Sequence, residues 1–200
     1  MIEKFSLKRV QKSGARVDEK RLLWLNGAHI RNTPVDKLYE YVSPREDNPQ
    51  EDGKQTGFWQ ESAYAPNITK EYRMKVLTLA QDRLKMFEDL RGFDYFFADP
   101  EIDMELIDGN KQLRKLTDDE RRELLSIARQ EFEKITDWTP ETIQNCLNEL
   151  LETTGQKPGI LFSLVRIVTT WAPFSPQLND TLALIGKKKT LQRIDNYLQK

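Results

Sequence analysis

Apolar residues recur along this chain at the three-to-four-residue spacing of an amphipathic helix, while the alternation of a half-buried strand is short and scarce. The pattern predicts an all-α fold. A first helix is expected from Asp18 to about Gly27, with Asp18 as a cap, Leu22, Leu23, Trp24 and Leu25 packing inward, and Gly27 ending it. A second is expected over about Ile68–Leu90, with Tyr72, Val76, Ala80, Leu84 and Phe87 on its apolar arc. A third starts at Thr117, where Thr117 and Glu120 form a capping-box pattern ahead of Leu124, Leu125, Ala128 and Phe132. Thr139-Pro140-Glu141 then supplies a cap, a proline suited to the first helical position and an acid in the first turn. Further helices are expected at about 160–170, at 176–185 and at 188–198. Between the first two runs lie Pro44, Pro49, Gly53, Gly57 and Pro66 among charges, an irregular connection that divides the chain into helical modules at 1–66 and 67–200.

Composition narrows the chemistry. Cys146 and His29 are the single cysteine and histidine, so the chain cannot build a zinc cluster, a CxxC redox pair or an internal disulfide. The usual nucleophile and base arrangements are excluded on the same ground, and neither GxGxxG nor GxxxxGK[ST] occurs. Carboxylate pairs abound, as they do on any charged helical surface. No catalytic residue and no metal ligand is assigned. Cys146, beside Ile143 and Leu147, reads as a small core residue, and His29 as structural or surface. No apolar run approaches the ~20 residues of a membrane span, and Met1 opens into charged sequence, so a cytoplasmic protein without membrane partners is expected.

The net charge of −1 conceals a polarity: residues 101–152 carry 14 acidic against 7 basic side chains, and residues 157–200 carry 7 basic against 2 acidic. A basic end beside an acidic middle suits a binding face held away from a solvated one, though charge alone favours solvated helix surface.

Three segments resemble glutamyl-tRNA synthetases. KRLLWLNGAHIR, within residues 5–31, is similar to the stretch that follows the catalytic domain and runs along the tRNA stem-contact region. GQKPGILFSLVRIVTTWAPFSPQLNDTLALIGKKKTLQRI (155–194) resembles the family's final anticodon-binding segment, and ITKEYRMKVLTLAQDRLKMFEDLRGFDYFF (68–97) its R-x-x-T-L stretch with a closing aromatic cluster. KSGAR at 12–16 falls where the family has a segment later than its KMSKS loop, so the resemblance places KMSKS and HIGH upstream of Met1. It implies an α-helix cage type anticodon-binding domain without its catalytic half. The expected partners are tRNA(Glu) and the protein's own catalytic domain, not DNA. The chain alone is expected to hold no cofactor and neither activate glutamate nor charge tRNA; ATP and Mg belong to the parent enzyme. A related cage occurs in class I lysyl-tRNA synthetases, and a helical protein-interaction module without RNA binding is the competing reading.

Helical geometry over 160–170 sets Leu161, Leu164, Val165 and Val168 on one face and Ser163, Arg166 and Thr170 on the other, so Arg166 is expected to point out of the core. There it could stack on an unpaired base or bridge phosphates; without the resemblance it is an ordinary surface arginine. Ser175-Pro176 is expected to open the next helix, and in the family a Thr/Ser-Pro pair lies at the anticodon. Trp171, Pro173 and Phe174 read as core or as a stacking surface. Lys75 shares a polar stripe with Thr78, Asp82 and Asp89, while Arg73 lies nearer the apolar arc. Lys187, Lys188 and Lys189 are either a solvated helix start or contacts to the RNA backbone. The chain departs from the family pattern at Trp171 for glycine, Leu164-Val165 for Pro-Leu, and Lys75 for arginine.

Overall fold

A computed structural model describes residues 18–43 and 57–200, and every regular element among them is helical. The KSGAR run, residues 5–17 of the first resembling segment and most of the expected connection (44–56) lie outside the described residues.

Helix α1 (Glu19–Asn32) starts where Asp18 accepts a hydrogen bond from the Arg21 N–H at 3.2 Å. Gly27 does not end it. The helix continues to Asn32, and Gly27 is buried because backbone from a distant segment comes against it: a Cβ would lie 3.2 Å from the Leu84 carbonyl oxygen and 3.5 Å from the Lys85 Cα. Asn26 donates to the Lys85 carbonyl at 2.5 Å beside this contact. The packed part of α1 is therefore Gly27 and Ile30, and Leu22, Trp24 and Leu25, expected inside, are 60%, 65% and 41% exposed. His29 lies within the helix and is exposed. A short helix not foreseen, α2 (Val35–Val42), follows Pro34 and buries Leu38 and Val42 against the next helix.

The long helix expected over Ile68–Leu90 is interrupted. Helix α3 (Lys70–Ala80) begins at Thr69, whose hydroxyl accepts from the Tyr72 N–H, and then gives way to a 3-10 turn (Gln81–Arg83) and a run of 3-10 turns (Phe87–Phe96). One distant and one local contact meet at the break. Gln81 turns its amide to the carbonyls of Thr33 (2.7 Å) and of Ile30 (2.8 Å), the latter also accepting from the Thr33 N–H, and so binds the end of α1. Asp89 accepts from the N–H groups of Lys85 (2.8 Å) and Met86 (3.0 Å), so it holds this bend instead of joining the Lys75 stripe. Val76, Ala80 and Leu84 are nonetheless buried as their spacing predicts.

The C-terminal helices follow their local signals closely. After a single turn α4 (Glu105–Asp108), helix α5 (Asp118–Lys134) carries the Thr117–Glu120 capping box, and α6 (Pro140–Thr154) starts at Thr139 with proline in its first turn. Leu124, Leu125, Ala128 and Phe132 are buried. Helices α7 (Pro158–Thr170), α8 (Leu178–Ile185) and α9 (Lys187–Leu198) complete the fold, with α5 packed on α6, α7 and α9.

Two apolar clusters result. One runs from Ile30 through Val42, Val76 and Leu84 to Phe97 and takes in Ala172 and Ile185, so residues on both sides of position 66 share it. The other runs from Ile107 to Tyr197. Arg193 of α9 crosses between them: its guanidinium donates to the carbonyls of Thr169 (2.7 Å), Tyr95 (2.8 Å) and Ala98 (3.1 Å) and to Asp99, while the side chain stays 2% exposed. Replacing Arg193 with alanine strands the buried carbonyls of Thr169 and Tyr95 and should lower stability by about 2–4 kcal/mol, read as a lower urea midpoint with an unchanged slope. Burial also raises the phenol pKa values of Tyr64, Tyr72, Tyr95 and Tyr197, that of Tyr72 to about 12. Because the neutral phenol is favoured in the folded state, their stabilisation is full below pH 10 and declines above it, that of Tyr72 being lost as pH rises through about 12. A titration at alkaline pH followed by phenolate absorbance and circular dichroism together should show these phenols ionising only as the helices unfold.

Candidate functional site

Helix α7 delivers Arg166 into a boundary between the clusters, not onto open surface. Leu161, Leu164, Val165 and Val168 face inward as expected, and Ser163 and Arg166 are half-buried. Thr170, expected on the outer face, is 1% exposed: α7 is covered on more than one side, and the Thr170 hydroxyl donates to the Arg166 carbonyl at 2.9 Å, closing the last turn. Arg166 donates from Nε to the Ser175 hydroxyl at 2.9 Å, and Ser175 in turn donates to the Pro176 carbonyl at 3.0 Å. The fold thus joins two residues nine positions apart into one structure. Burial and the nearby Arg83 both press the Arg166 pKa below its ordinary value, while Tyr95 opposes this. A guanidinium still stays charged at neutral pH.

Ser175-Pro176 does not start α8. Gln177 occupies the cap position, no side chain caps the helix, and Ser175 and Pro176 are buried in the preceding turn. Trp171 ends α7 in a left-handed conformation (φ 43°), which costs a non-glycine residue about 1 kcal/mol. That conformation accounts for the glycine of the resembling pattern. The Trp171 ring packs near Tyr197 (6.2 Å between centroids) and belongs to the second cluster. Phe174 is different: 49% exposed, it stands edge-on to Phe93 at 6.1 Å and offers a free aromatic surface.

Across from this turn, Lys75, Thr78 and Asp82 of the α3 stripe are exposed as predicted. They border a groove of about 790 Å³ whose far wall includes Pro176, Asp180 and Leu184, with Arg83 at its α3 end. Lys75 and Pro176, taken from separate motifs, therefore face one space. The Tyr72 hydroxyl ties α3 to α8, its one proton shared between the carbonyls of Phe96 and Leu184, both at 3.1 Å. Arg73 is turned away, bonded to the Tyr39 hydroxyl and the Ala63 and Ile68 carbonyls. Arg83 and Asp180 escape sequence reading because neither belongs to a helical stripe shared with Lys75 or Arg166.

The three lysines are not equivalent. Lys187 donates from Nζ to the Glu133 (2.8 Å) and Ile135 (2.6 Å) carbonyls at the end of α5, Lys189 is half-buried, and Lys188 is exposed. Cys146 is buried, and its thiol pKa is pushed up to about 11, chiefly by burial. Among the described residues there is no group of three or more potential metal ligands, and no helix is long and apolar enough to cross a membrane.

A family model described as an anticodon binding domain matches residues 37–198. The glutamate–tRNA ligase of Chloroflexus aurantiacus is 28% identical over 199 residues, covering 97% of this chain and 37% of the relative. That of Chlorobaculum parvum is 30% identical over 204 residues, covering 100% and 38%. The chain thus spans less than two fifths of these relatives' length. In solved structures, a glutamate tRNA ligase from Elizabethkingia meningosepticum superposes on the whole chain and 36% of its own (TM-score 0.71, 19% identity), and a glutamate-tRNA synthetase from Elizabethkingia anophelis on the whole chain and 35% of its own (0.70, 20%). Both share the helical fold.

The lysine geometry makes a direct test. Lys187→Met leaves two carbonyls without their cation and should cost about 1 kcal/mol in urea unfolding, whereas Lys188→Met should leave the midpoint within error.

Proposed function

The chain belongs to the anticodon binding domain family, and on that premise we propose that it binds the anticodon loop of tRNA(Glu) and positions the RNA for ATP-dependent glutamylation by a class I catalytic domain. The observation that carries this reading is the groove in which α3 brings Lys75 opposite Pro176, beside the Arg166–Ser175 pair. A loop of unpaired bases needs a concave surface with apolar walls, separated charges and a flat partner to stack on. The groove and Phe174 meet those needs. Family membership favours this over a protein-interaction module without RNA.

Within the site the residues divide by what remains free. Lys75 is exposed and presents a point charge, while Arg166 has Nε committed to Ser175 and keeps the outer edge of its fork for a base or phosphate. Thr170 and Ser175 act by holding Arg166, Pro176 forms the wall, and Ser163 lies at the margin. Lys188 and Lys189 attract the RNA backbone, and Lys187 contributes its field from the end of α5. Residues 1–66 serve as the stem-contact segment and 67–200 as the anticodon segment. They differ in the part of the RNA they meet and share one core. The exposed Leu22, Trp24 and Leu25 suit the protein's own catalytic domain, where ATP and Mg would act, and the setting is the cytoplasm.

Base-reading and phosphate-attracting interactions should separate in a fluorescence binding titration with tRNA(Glu), its anticodon stem-loop and a scrambled loop. Arg166→Ala should weaken the cognate loop by roughly 1–3 kcal/mol and barely alter the scrambled one. Replacing Lys188 and Lys189 with alanine should weaken both alike and flatten the log–log salt dependence by about 0.7 to 0.9 for each phosphate no longer neutralised. Equal binding of tRNA(Glu) and an unrelated tRNA would sink the proposal.

A further inference from the structure

The groove between α3 and α8 carries a charge pattern that a phosphate-binding surface would not have. Two cations, Lys75 and Arg83, line it together with two carboxylates, Asp82 and Asp180, so its formal charge is balanced. Lys75, Arg83 and Asp82 are exposed, Asp180 is half-buried, and none of the four is engaged in an ion pair or side-chain hydrogen bond among the described residues. Leu79, Ala183 and Leu184 supply apolar wall between them. Unpaired donors and acceptors set around an apolar floor match the edge and face of a heterocycle, whereas a phosphate would be repelled by the carboxylates.

Asp180 is the informative member. A carboxylate only accepts hydrogen bonds, so its partner must be a donor, and against the edge of a base that donor is an N–H. It is the third residue of α8, where its charge also favours the positive end of the helix, but that role does not require it to line the groove. Lys75 and Arg83 only donate and so suit ring nitrogens and carbonyl oxygens beside such an N–H. We infer that the groove reads the exocyclic amino group of one unpaired base of the RNA loop, with Asp180 as the acceptor and Lys75 and Arg83 serving the neighbouring acceptors of the same base. This deepens the proposed anticodon-loop reading and rests on it.

The experiment uses the whole chain and anticodon stem-loops in which each loop base in turn loses only its amino group: pyrimidin-2-one riboside for cytidine, inosine for guanosine, purine riboside for adenosine, with uridine for cytidine as a further arm that puts a carbonyl in its place. Wild-type protein should lose roughly tenfold in affinity at one loop position and little at the others. Asp180→Ala should bind the parent loop about as weakly as the wild type binds that analogue and should no longer distinguish the two. Asp180→Asn exchanges an acceptor oxygen for an amide donor and should tolerate the analogue best where a carbonyl replaces the amino group. Circular dichroism melts of both variants report the helix-terminus role of Asp180 separately. Wild-type binding that ignores amino loss at every position, or a tenfold effect that persists in Asp180→Ala, overturns this inference alone. Failure of the wild type to bind the parent loop at all overturns the anticodon-loop reading beneath it.

Discussion

Arg193 holds the guanidinium on which the site geometry depends. It is buried between the two apolar clusters, and its donors reach the end of α7 through Thr169, the 3-10 run through Tyr95 and Ala98, and the Asp99 carboxylate. An arginine is suited to this place because its planar fork serves several carbonyls in fixed directions, which a lysine ammonium on a flexible stem would not. Burial pulls its pKa down and Asp99 raises it, so the charge is retained through hydrogen bonding more than through solvent. Because the chain turns at Trp171 directly after Thr169 and Thr170, fixing the Thr169 carbonyl also fixes where the turn delivers Ser175 and Pro176.

The groove has a second requirement, the early end of α3. The backbone stays in helical conformation through Gln81 and leaves it at Leu84, whose extended conformation (ψ 132°) breaks the cylinder. That break lets Leu84 and Lys85 approach the bare backbone of Gly27 and leaves Arg83 at the groove's end, while the Gln81 side chain bridges to Ile30 and Thr33. Three features of the sequence that look unrelated, a glycine, a glutamine and an aspartate at position 89, thus serve one junction. Tyr72 then ties the same helix to α8 from within.

What the sequence by itself determined is what local chemistry decides. The caps at Asp18, Thr117 and Thr139 are formed by side chains within three residues of the N–H they satisfy, and inward positions such as Val76, Leu124 and Val165 follow from helical period alone. Lys75 is legible for the same reason, since it lies on a polar stripe that nothing covers. The likeness of residues 155–194 to a known anticodon-binding segment was also visible in order and spacing. Tertiary structure decided the rest, wherever two segments compete for one backbone group or one surface. Gly27 reads as a stop until Leu84 is seen against it, Lys187 as a free cation until the end of α5 is placed beside it, and Thr170 as outward until α7 is covered on more than one side. Asp180 and Arg83 carry no periodic signal, and they become neighbours across a groove only because α3 stops and α8 packs against it. Hydrogen bonds across a few residues are written in spacing, whereas those across fifty or more depend on which carbonyls the packed helices leave open.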